Sequence, residues 1–338
     1  MDRISVSTRR GARVVSRGLP VAATVAALAL GAGAAVARDI TVVTFGSASL
    51  AGTYHAVVGA ICDLANRTGR RDLRCSPEPT PGSVYNLLAM QRGELDFALV
   101  QSDWQRRAVE GTGPFAETGP MEDLRGVMSL YPEAVTLLVR KGAGINGIED
   151  LAGKTVDIGD PVIARRATNE RLLAALELSD EDRAKFVGLA GSAVRAEFCR
   201  GAVDAVLLVL GHPNASVQSA LSDCNGEIVS IRGPVVDALL AESSDFARTE
   251  ISSDTYGGLF ADIDTISVSA TLVTRADTSD ETVDYFSRMI LDNLGLLATS
   301  NPVLRERPLE RLKGDGMTAA LHPAAEAVFA AKAGAPGQ

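Results

Sequence analysis

Hydrophobic residues after position 39 fall into short apolar runs that are separated by segments with helical spacing. Apolar side chains three and four positions apart, at Val57, Ile61 and Leu64, predict an amphipathic helix after the first run. A second helix is expected to take Ser83 as its N-cap and to stop at Gly93, because serine caps helix starts and glycine accepts the left-handed conformation after a helix. The strands of this region are predicted at Ile40–Phe45, Leu73–Glu78 and Leu95–Gln101.

The alternation of strand and helix returns in the second part of the chain. The apolar cores of Leu95–Gln101 and Asp204–Leu210 are nearly continuous, which is typical of strands that are buried on both faces of a parallel sheet. Further strands are predicted at Val135–Val139, Thr155–Ile158, Phe186–Leu189 and Thr265–Thr274. Further helices are predicted at Thr168–Leu178, Val194–Arg200 (ended by Gly201) and Asp280–Leu297.

Two segments of related sequence suggest two α/β lobes of similar plan. In Gly93–Leu99 and in Gly201–Leu207, a helix-stopping glycine is followed after two residues by an aspartate and then by a buried strand. If Thr265–Thr274 returns to the first lobe, two segments cross between the lobes, and such a hinged pair can close around a ligand. We therefore predict an α/β fold with residues 38–130 and 275–338 in the first domain and 131–274 in the second. Tyr131–Glu133 lies near the first crossing, as hinge or cleft wall.

Composition and charge narrow the function classes. The chain has 338 residues, of which 46% are hydrophobic and 22% are charged, so disorder, collagen and coiled coil are excluded. The formal net charge is −9 and only 4% of the residues are aromatic. An acidic chain with few stacking side chains makes a poor nucleic-acid binder, so no nucleic-acid partner is expected.

The first 37 residues have the order of a secretory signal peptide. Five arginines precede an apolar stretch from Leu19 to Leu30, and Ala35-Val36-Ala37 provides a small-residue cleavage site. Cleavage near Ala37 predicts a periplasmic protein with 28 basic and 41 acidic residues, and thus a net charge of −13. An uncleaved N-terminal anchor is the alternative, and Arg9-Arg10 leaves the choice between Sec and twin-arginine export open.

Export makes the cysteines informative, because disulfides persist in oxidising compartments. The four cysteines allow three connectivities, of which the pairing of neighbours along the chain is the simplest. Metal binding is the rival interpretation, but spacings of 13 and 25 residues without an adjacent histidine do not fit a zinc site. The predicted disulfides are Cys62–Cys75 and Cys199–Cys224.

No strong catalytic motif occurs. The chain has three histidines, and it contains neither a metalloprotease helix motif nor a nucleophile elbow, a Walker loop or a dinucleotide fingerprint. We therefore predict no catalytic residues, no metal and no cofactor.

The loops after the first three strands are better explained as ligand cradles. Glycines allow backbone N–H groups to approach a ligand, and a helix N-terminus favours an anion. Ligands of open α/β sheets bind at the carboxyl ends of the strands, where these loops lie. The predicted ligand-binding residues here are Ser47, Ala48, Gly52, Thr53, Tyr54, Gly82, Ser83, Gln101, Ser102 and Asp103.

Several motifs together resemble the TAXI group of solute receptors, which serve tripartite ATP-independent periplasmic (TRAP) transporters. The similarity runs from Ile40 to about Ala333, and its motifs are Pro81–Leu87, Gly93–Asp103, Asp150–Val156, Gly211–Asn214 and Leu321–Pro323. The resemblance implies a periplasmic-binding-protein type II-like fold, with two hinged domains around a central cleft. It also implies a monomeric receptor that passes a glutamate-like or other dicarboxylate anion to a sodium-coupled TRAP membrane permease.

One segment departs from the TAXI pattern. Where the group has a Gly-Ser-Gly-Thr-like turn, this chain has Val162, Ile163, Ala164 and Arg165. Arg165 or Arg166 could supply a bidentate carboxylate clamp instead, or the two could form a solvated pair at a helix start. His212 and Asn214 follow a buried strand, as cleft-loop residues should. The alternatives to a transport receptor are an exported enzyme on the same scaffold and a ligand-sensing lobe for a membrane signalling partner.

Overall fold

The strands build one mixed sheet. The computed structural model describes residues 40–334, apart from Ala51, Gly69, Val162, Ala184, Ser244, Leu259 and Glu306. The predicted signal peptide lies outside the described residues. The strands are β1 Thr41–Gly46, β2 Leu73–Glu78, β3 Phe97–Gln101, β4 Leu124–Arg140, β5 Val156–Asp157, β6 Phe186–Val187, β7 Ala205–Leu210, β8 Gly226–Val229, β9 Ala247–Ile251 and β10 Ile263–Arg275.

The helices alternate with these strands in the first two thirds of the chain and follow one another in the last third. None of the described helices is long and apolar enough to cross a membrane. The helices are α1 Thr53–Thr68, α2 Ser83–Gln91, α3 Ser102–Glu110, α4 Ala164–Ala174, α5 Asp180–Arg183, α6 Val194–Cys199, α7 Ala215–Asp223, α8 Pro234–Glu242, α9 Asp280–Asp292, α10 Leu294–Ser300, α11 Leu309–Gly314 and α12 Pro323–Ala333.

Two long strands carry the chain between the two halves of the sheet. The strand order is β2-β1-β3-β10-β4-β7-β5-β6, with β8 on β4 and β9 on β10. β10 pairs with β9 through its first residues and with β3 through its last, while β4 pairs with β7 only through residues 134–139. β4 and β10 are the two strands that pair with both halves of the sheet, and we name the β1–β3 side the first lobe and the β5–β7 side the second lobe. The residue ranges of the two domains stay a prediction.

The sheet is parallel within each lobe and antiparallel where the lobes join. β1 runs parallel to β2 and β3, and β5 runs parallel to β6 and β7. β10 is antiparallel to β3 and β4, and β4 is antiparallel to β7. Parallel strands end at the same edge of a sheet, so the loops that follow β1, β2 and β3 lie side by side.

Each lobe has its own buried apolar residues. In the first lobe, Phe45 stacks on Phe97 with ring centroids 4.7 Å apart, and Phe286 of α9 tilts against both rings. In the second lobe, Leu172 of α4 and Leu207 of β7 belong to a separate buried cluster. Separate cores joined by two strands give the two-lobed α/β fold that the sequence predicts.

The two related sequence segments occupy equivalent places. Asp96, which precedes β3, accepts hydrogen bonds from the backbone N–H and the hydroxyl of Thr44 in the neighbouring parallel strand, at 2.8 and 2.9 Å. Asp204, which precedes β7, accepts one from the N–H of Thr155, just before the neighbouring β5, at 3.0 Å. The predicted similarity of the lobes is therefore a shared way of fixing adjacent parallel strands.

Both predicted disulfides are present. Cys62 of α1 is bonded to Cys75 of β2 within the first core, and Cys199 of α6 is bonded to Cys224 after α7. Each bond links elements of one lobe.

Three predicted boundaries are wrong for local reasons. The helix expected from Thr168 begins a turn earlier, at Ala164, and the Thr168 hydroxyl bonds Asp103. The helix expected over Asp280–Leu297 breaks at Asn293, whose side-chain amide donates to the carbonyl of Met289 at 2.8 Å. The short strand expected at Val135–Val139 is only the end of the 17-residue β4.

Candidate functional site

A cavity of about 320 Å³ lies between the two lobes at the carboxyl ends of the strands. Of the predicted ligand-binding residues, those that line it are Ala48, Gly52, Thr53, Tyr54, Gly82, Ser83, Gln101, Arg165 and Asn214. Their role in binding stays a prediction, but the fold brings these nine residues, which are scattered over 167 positions of the chain, to one place.

Asn86 ties the three loops of the first lobe together. Its side-chain amide, which is fully buried, donates to the carbonyls of Ser47 and Leu99 at 2.8 and 2.9 Å, and its oxygen accepts from the Thr80 hydroxyl at 2.7 Å. A Cβ at Gly46 would come within 2.8 Å of that oxygen, so the close approach requires glycine. The loop backbone is therefore held rigid before any ligand arrives.

The second loop enters α2 through a glycine in an unusual conformation. Gly82 has φ +110°, which residues with a side chain rarely adopt, and it occupies the N-cap position. The prediction of Ser83 as N-cap is wrong: Ser83 is the first helical residue, and its hydroxyl accepts from the backbone N–H of Gln101 at 3.1 Å. That hydrogen bond fixes the start of α2 to the end of β3.

Tyr54 and Glu133 form a polar contact at the base of the cavity. The Tyr54 hydroxyl donates to Glu133 Oε2 at 2.7 Å, and both side chains are buried. Burial raises the pKa of Glu133 to about 8, with Asp103 adding to the shift. Burial, with Glu133 next, likewise raises the pKa of Tyr54 well above 10, so the phenol keeps its proton.

Glu133 is a cavity residue that the sequence analysis named only as hinge or cleft wall. It lies in β4, at the point where the strand passes between the lobes. The available signal was a charged residue inside a long apolar strand. Its neighbours in the chain point away from this cavity, and Pro132 and Ala134 instead line a second cavity of about 280 Å³.

The second lobe contributes an apolar wall and one arginine that is already paired. Arg165 Nη2 donates to the fully buried Asp157 at 2.7 Å, and its Nη1 donates to the carbonyl of Leu207 at 2.6 Å. Asp157 also accepts from the backbone N–H groups of Gly159 and Leu189. The charge of Arg165 is thus compensated within the lobe. Apolar cavity residues that the sequence analysis did not include are Ile163, Ala164, Leu208, Val209 and Leu210.

Arg166 and His212 lie outside the cavity lining. Arg166 pairs with Glu170 at 2.6 Å and donates to the carbonyl of Gly159. His212 lies between Thr136 and Tyr256, and burial lowers its pKa to about 4, so the ring is neutral. Because Thr136 donates to a carbonyl and the Tyr256 oxygen accepts from a backbone N–H, the ring carries its proton on Nε2. Both residues serve the second lobe's own structure.

Ser102 and Asp103 also lie beside the cavity rather than in its wall. Ser102 accepts from the N–H of Ser269 in β10 at 3.0 Å. Asp103 accepts from the Thr168 hydroxyl of α4 at 2.7 Å, and the Trp104 indole donates to the carbonyl of Ala164 at 3.3 Å. These contacts join α3 of the first lobe to α4 of the second.

The contact of Ser47 with His55 has the composition of a nucleophile and base but not the arrangement. Ser47 is fully buried, does not line the cavity, and donates its hydroxyl proton to the carbonyl of Glu78 at 2.7 Å. The Nδ1 atom of His55, 3.0 Å away, therefore acts as a donor to this oxygen. With its proton directed at the carbonyl of Glu78, the Ser47 hydroxyl lacks the hydrogen bond to a base that activates a serine nucleophile.

Comparison with protein families identifies the chain. A profile of the NMT1-like family matches residues 45–332, which include all the cavity residues described above. The chain belongs to the NMT1-like family.

Solved structures with a similar fold share little sequence with this NMT1-like protein. The aliphatic sulphonate binding protein SsuA from Escherichia coli is 16% identical over 78% of this chain and 76% of that one, with a TM-score of 0.49. The putative sulfonate-binding protein SsuA from Methylobacillus flagellatus KT is 15% identical over 82% and 74%, with a TM-score of 0.48. An ancestral arginine-binding protein is 13% identical over 78% and 98%, also with a TM-score of 0.48.

Proposed function

We propose that this protein is an extracytoplasmic solute-binding receptor that closes its two lobes around a small organic anion and releases it, unaltered, to a membrane permease. The observation that carries the proposal is the cavity between the lobes, which is bordered by the three strand-end loops of the first lobe and by the starts of α1, α2, α4 and α7. The first N–H groups of a helix have no partner within the helix, and they favour a negatively charged ligand. The NMT1-like family membership and the TAXI-like motifs agree with this role.

The size of the cavity supports a ligand of metabolite dimensions. A volume of about 320 Å³ lies at the lower end of the 300–1,000 Å³ range of small-molecule sites. The side chains of Thr53 and Ser83 in the first lobe and of Asn214 in the second add polar groups to the lining, and the second lobe also adds apolar contact. A small dicarboxylate such as glutarate or L-glutamate fits this combination in size and charge.

Thermal unfolding in the presence of candidate ligands tests the proposal. A ligand at 100 times its Kd adds about 2.7 kcal/mol of stability, which raises Tm by several degrees. Glutarate, L-glutamate, 2-oxoglutarate and succinate are the first probes, with ethylene glycol as an uncharged control. The absence of any shift across these anions at millimolar concentration would count against the receptor role.

A pair of alanine-to-tryptophan variants tests whether the ligand that raises Tm binds in this cavity. Ala48 lines the cavity, whereas Ala56 is exposed on α1 outside it. Ala48→Trp is expected to fill the cavity and abolish the ligand-induced shift, and Ala56→Trp is expected to retain it. Loss of the shift in both variants, or in neither, would place the ligand elsewhere.

The proposal also extends to the class of the membrane permease that receives the ligand. The motifs at Pro81–Leu87 and Gly93–Asp103 resemble the receptors of TRAP transporters, so we propose a TRAP permease as the partner. Uptake in proteoliposomes that is driven by a sodium gradient without ATP would support this assignment. Uptake that requires ATP hydrolysis would instead indicate an ABC transporter.

A further inference from the structure

A carboxyl group lies where an anion receptor should avoid negative charge. Glu133 lines the cavity, and only 5% of its surface is exposed. The hydroxyl of Tyr54 donates to its Oε2 at 2.7 Å. An ionised Glu133 would repel an anionic ligand across a cavity of low dielectric constant. A protonated Glu133 would not.

The neighbouring glutamine has an acceptor without a donor. Gln101 is 4% exposed, and its Oε1 is buried with no hydrogen-bond partner in the described part of the chain. A hydrogen bond from the Gln101 side chain lowers the pKa of the Glu133 carboxyl, but burial has the larger effect and raises it. An ionised carboxylate has no proton to offer Gln101 Oε1, whereas a carboxylic acid does.

The charged groups around Glu133 favour the protonated form. From α3, Asp103 acts on it as a nearby negative charge. Burial raises the pKa of Asp103 as well, while hydrogen bonds from Thr168 and the backbone N–H of Trp104 and the field of Arg107 oppose that rise.

Within the described part of the chain, the other titratable groups near Glu133 do not supply a compensating positive charge. Tyr54 of α1 and Tyr131 of β4 are kept neutral by burial, which raises both pKa values well above 10. From α4, Arg165 is committed to Asp157. Burial without a nearby positive charge therefore favours a Glu133 that holds its proton near neutral pH.

We infer that Glu133, buried in the cleft with the Tyr54 hydroxyl as its donor and without a cationic partner among the described residues, carries a proton, so that the anionic ligand binds together with a proton held by Glu133. The inference rests on the proposed anion-receptor function and makes Glu133 the residue that sets the charge of ligand the cleft accepts. No bond other than that of the exchangeable proton changes.

The binding of the ligand is thus linked to the proton on Glu133, and this linkage sets how the affinity depends on pH. If only the protonated form binds the anion, the apparent affinity falls with the protonated fraction. With a midpoint near pH 8, affinity is almost constant below pH 7 and is lost as the pH rises through 8. Between pH 7 and pH 9 the affinity should fall about tenfold. A cationic ligand that required ionised Glu133 would show the opposite slope.

The proton on Glu133 is measured first, in the absence of any ligand. The carboxyl resonances of protein labelled with ¹³C at glutamate Cδ are followed from pH 4 to pH 10. We expect one resonance with a midpoint near pH 8, and we expect it to be absent from Glu133→Gln. If every glutamate resonance had its midpoint below pH 6, the inference would be overturned whether or not the protein binds anions.

The linkage is measured next with glutarate as the probe, by calorimetric titration at pH 7, 8 and 9 in two buffers of different ionisation enthalpy. Wild type should take up protons on binding at pH 8 and 9 and lose about tenfold in affinity between pH 7 and 9. Glu133→Gln should have a pH-independent affinity, and Glu117→Gln, at an exposed position, should keep the wild-type profile. Wild-type affinity that does not change with pH overturns the inference but not the receptor function.

If glutarate, L-glutamate, 2-oxoglutarate and succinate bind at no pH, the receptor function fails and the linkage with it. The ligand-free titration then still decides whether Glu133 holds a proton.

Discussion

The two lobes present different chemistry to the same cavity. The first lobe supplies backbone N–H groups, the hydroxyls of Thr53 and Ser83, and the Gln101 amide from three adjacent loops. The second lobe supplies Leu208, Val209 and Leu210 along one strand, the Asn214 side chain, and an arginine whose charge Asp157 already compensates. We infer that the first lobe binds the polar part of the ligand and that the second closes over it mainly through apolar contact.

The two lobes are alike where their strands begin and differ where their strands end. Both lobes begin their parallel strands in the same way, through Asp96 in the first and Asp204 in the second. They diverge after the strands, where the first lobe presents the glycines of its loops to the cavity and the second lobe presents Arg165 and the apolar residues of β7. Similar sheets can therefore carry different halves of a binding site, because the loops are free to vary.

The largest expected effect concerns the buried ion pair of the second lobe. Asp157→Ala leaves Arg165 without its partner and removes the acceptor for the N–H groups of Gly159 and Leu189. Breaking a buried pair by removing one partner costs about 3–5 kcal/mol, which urea unfolding followed by circular dichroism would measure. Stability unchanged from wild type would contradict a structural role for Asp157 and its contacts with Arg165, Gly159 and Leu189.

The matched control is Asp284→Ala on α9. Asp284 pairs with Arg288 one turn away, but its side chain is 41% exposed. Exposed pairs of this kind contribute about 0.3–0.5 kcal/mol, so this variant should unfold close to wild type. Equal losses in both variants would show that the burial of Asp157 does not matter.

The disulfides offer a second contrast between the lobes. Cys62 and Cys75 are buried in the first core, whereas Cys199 is exposed. Dithiothreitol under native conditions should therefore reduce Cys199–Cys224 first, as alkylation and mass spectrometry would detect. Opening this loop, with its separation of 25 residues, should cost about 3.5 kcal/mol in the chain-entropy description. Reduction of both bonds at the same rate would contradict the difference in burial.

The sequence predicts the first lobe's half of the cavity better than the second's. Glycine turns at strand ends have a local signature, so Gly52, Gly82 and Gln101 could be placed from spacing alone. The same reasoning could not tell which of Arg165 and Arg166 lines the cavity. Arg165 is held in place by Asp157, which belongs to another element of the fold. Which of two adjacent arginines faces a cavity is decided by packing between elements.

Fold class, crossing strands and disulfides were all predictable, since each depends on periodicity or chain order. Helix boundaries were less so, because Ser83 and Thr168 use their hydroxyls for contacts with Gln101 and Asp103 rather than for caps. Glu133 shows what the sequence could not predict. A lone carboxylate inside a strand is visible in the sequence, but its position at the base of the cavity follows only from the crossing of β4 between the lobes.

A glycine substitution tests the preformed loop of the first lobe. Gly82 has φ +110°, and a Cβ there would meet no atom within 4 Å, so only backbone strain opposes Gly82→Ala. We expect a loss of about 1–3 kcal/mol in unfolding free energy. Gly59→Ala, inside α1 and equally uncrowded, should gain about 0.5–1 kcal/mol. Changes of the same sign in both variants would contradict a role for the conformation of Gly82.

The smallest effect should come from the second of the two adjacent arginines. Arg166 bonds Glu170 and the carbonyl of Gly159 and does not line the cavity. Arg166→Gln should therefore lower stability by less than about 1 kcal/mol, because a partly exposed pair contributes little. Glutarate affinity, measured by calorimetry, should stay within about twofold of wild type, a difference worth less than about 0.5 kcal/mol. A tenfold loss of affinity would show that Arg166, rather than the first lobe's loops, holds the anion, and would reverse the contrast drawn between the lobes.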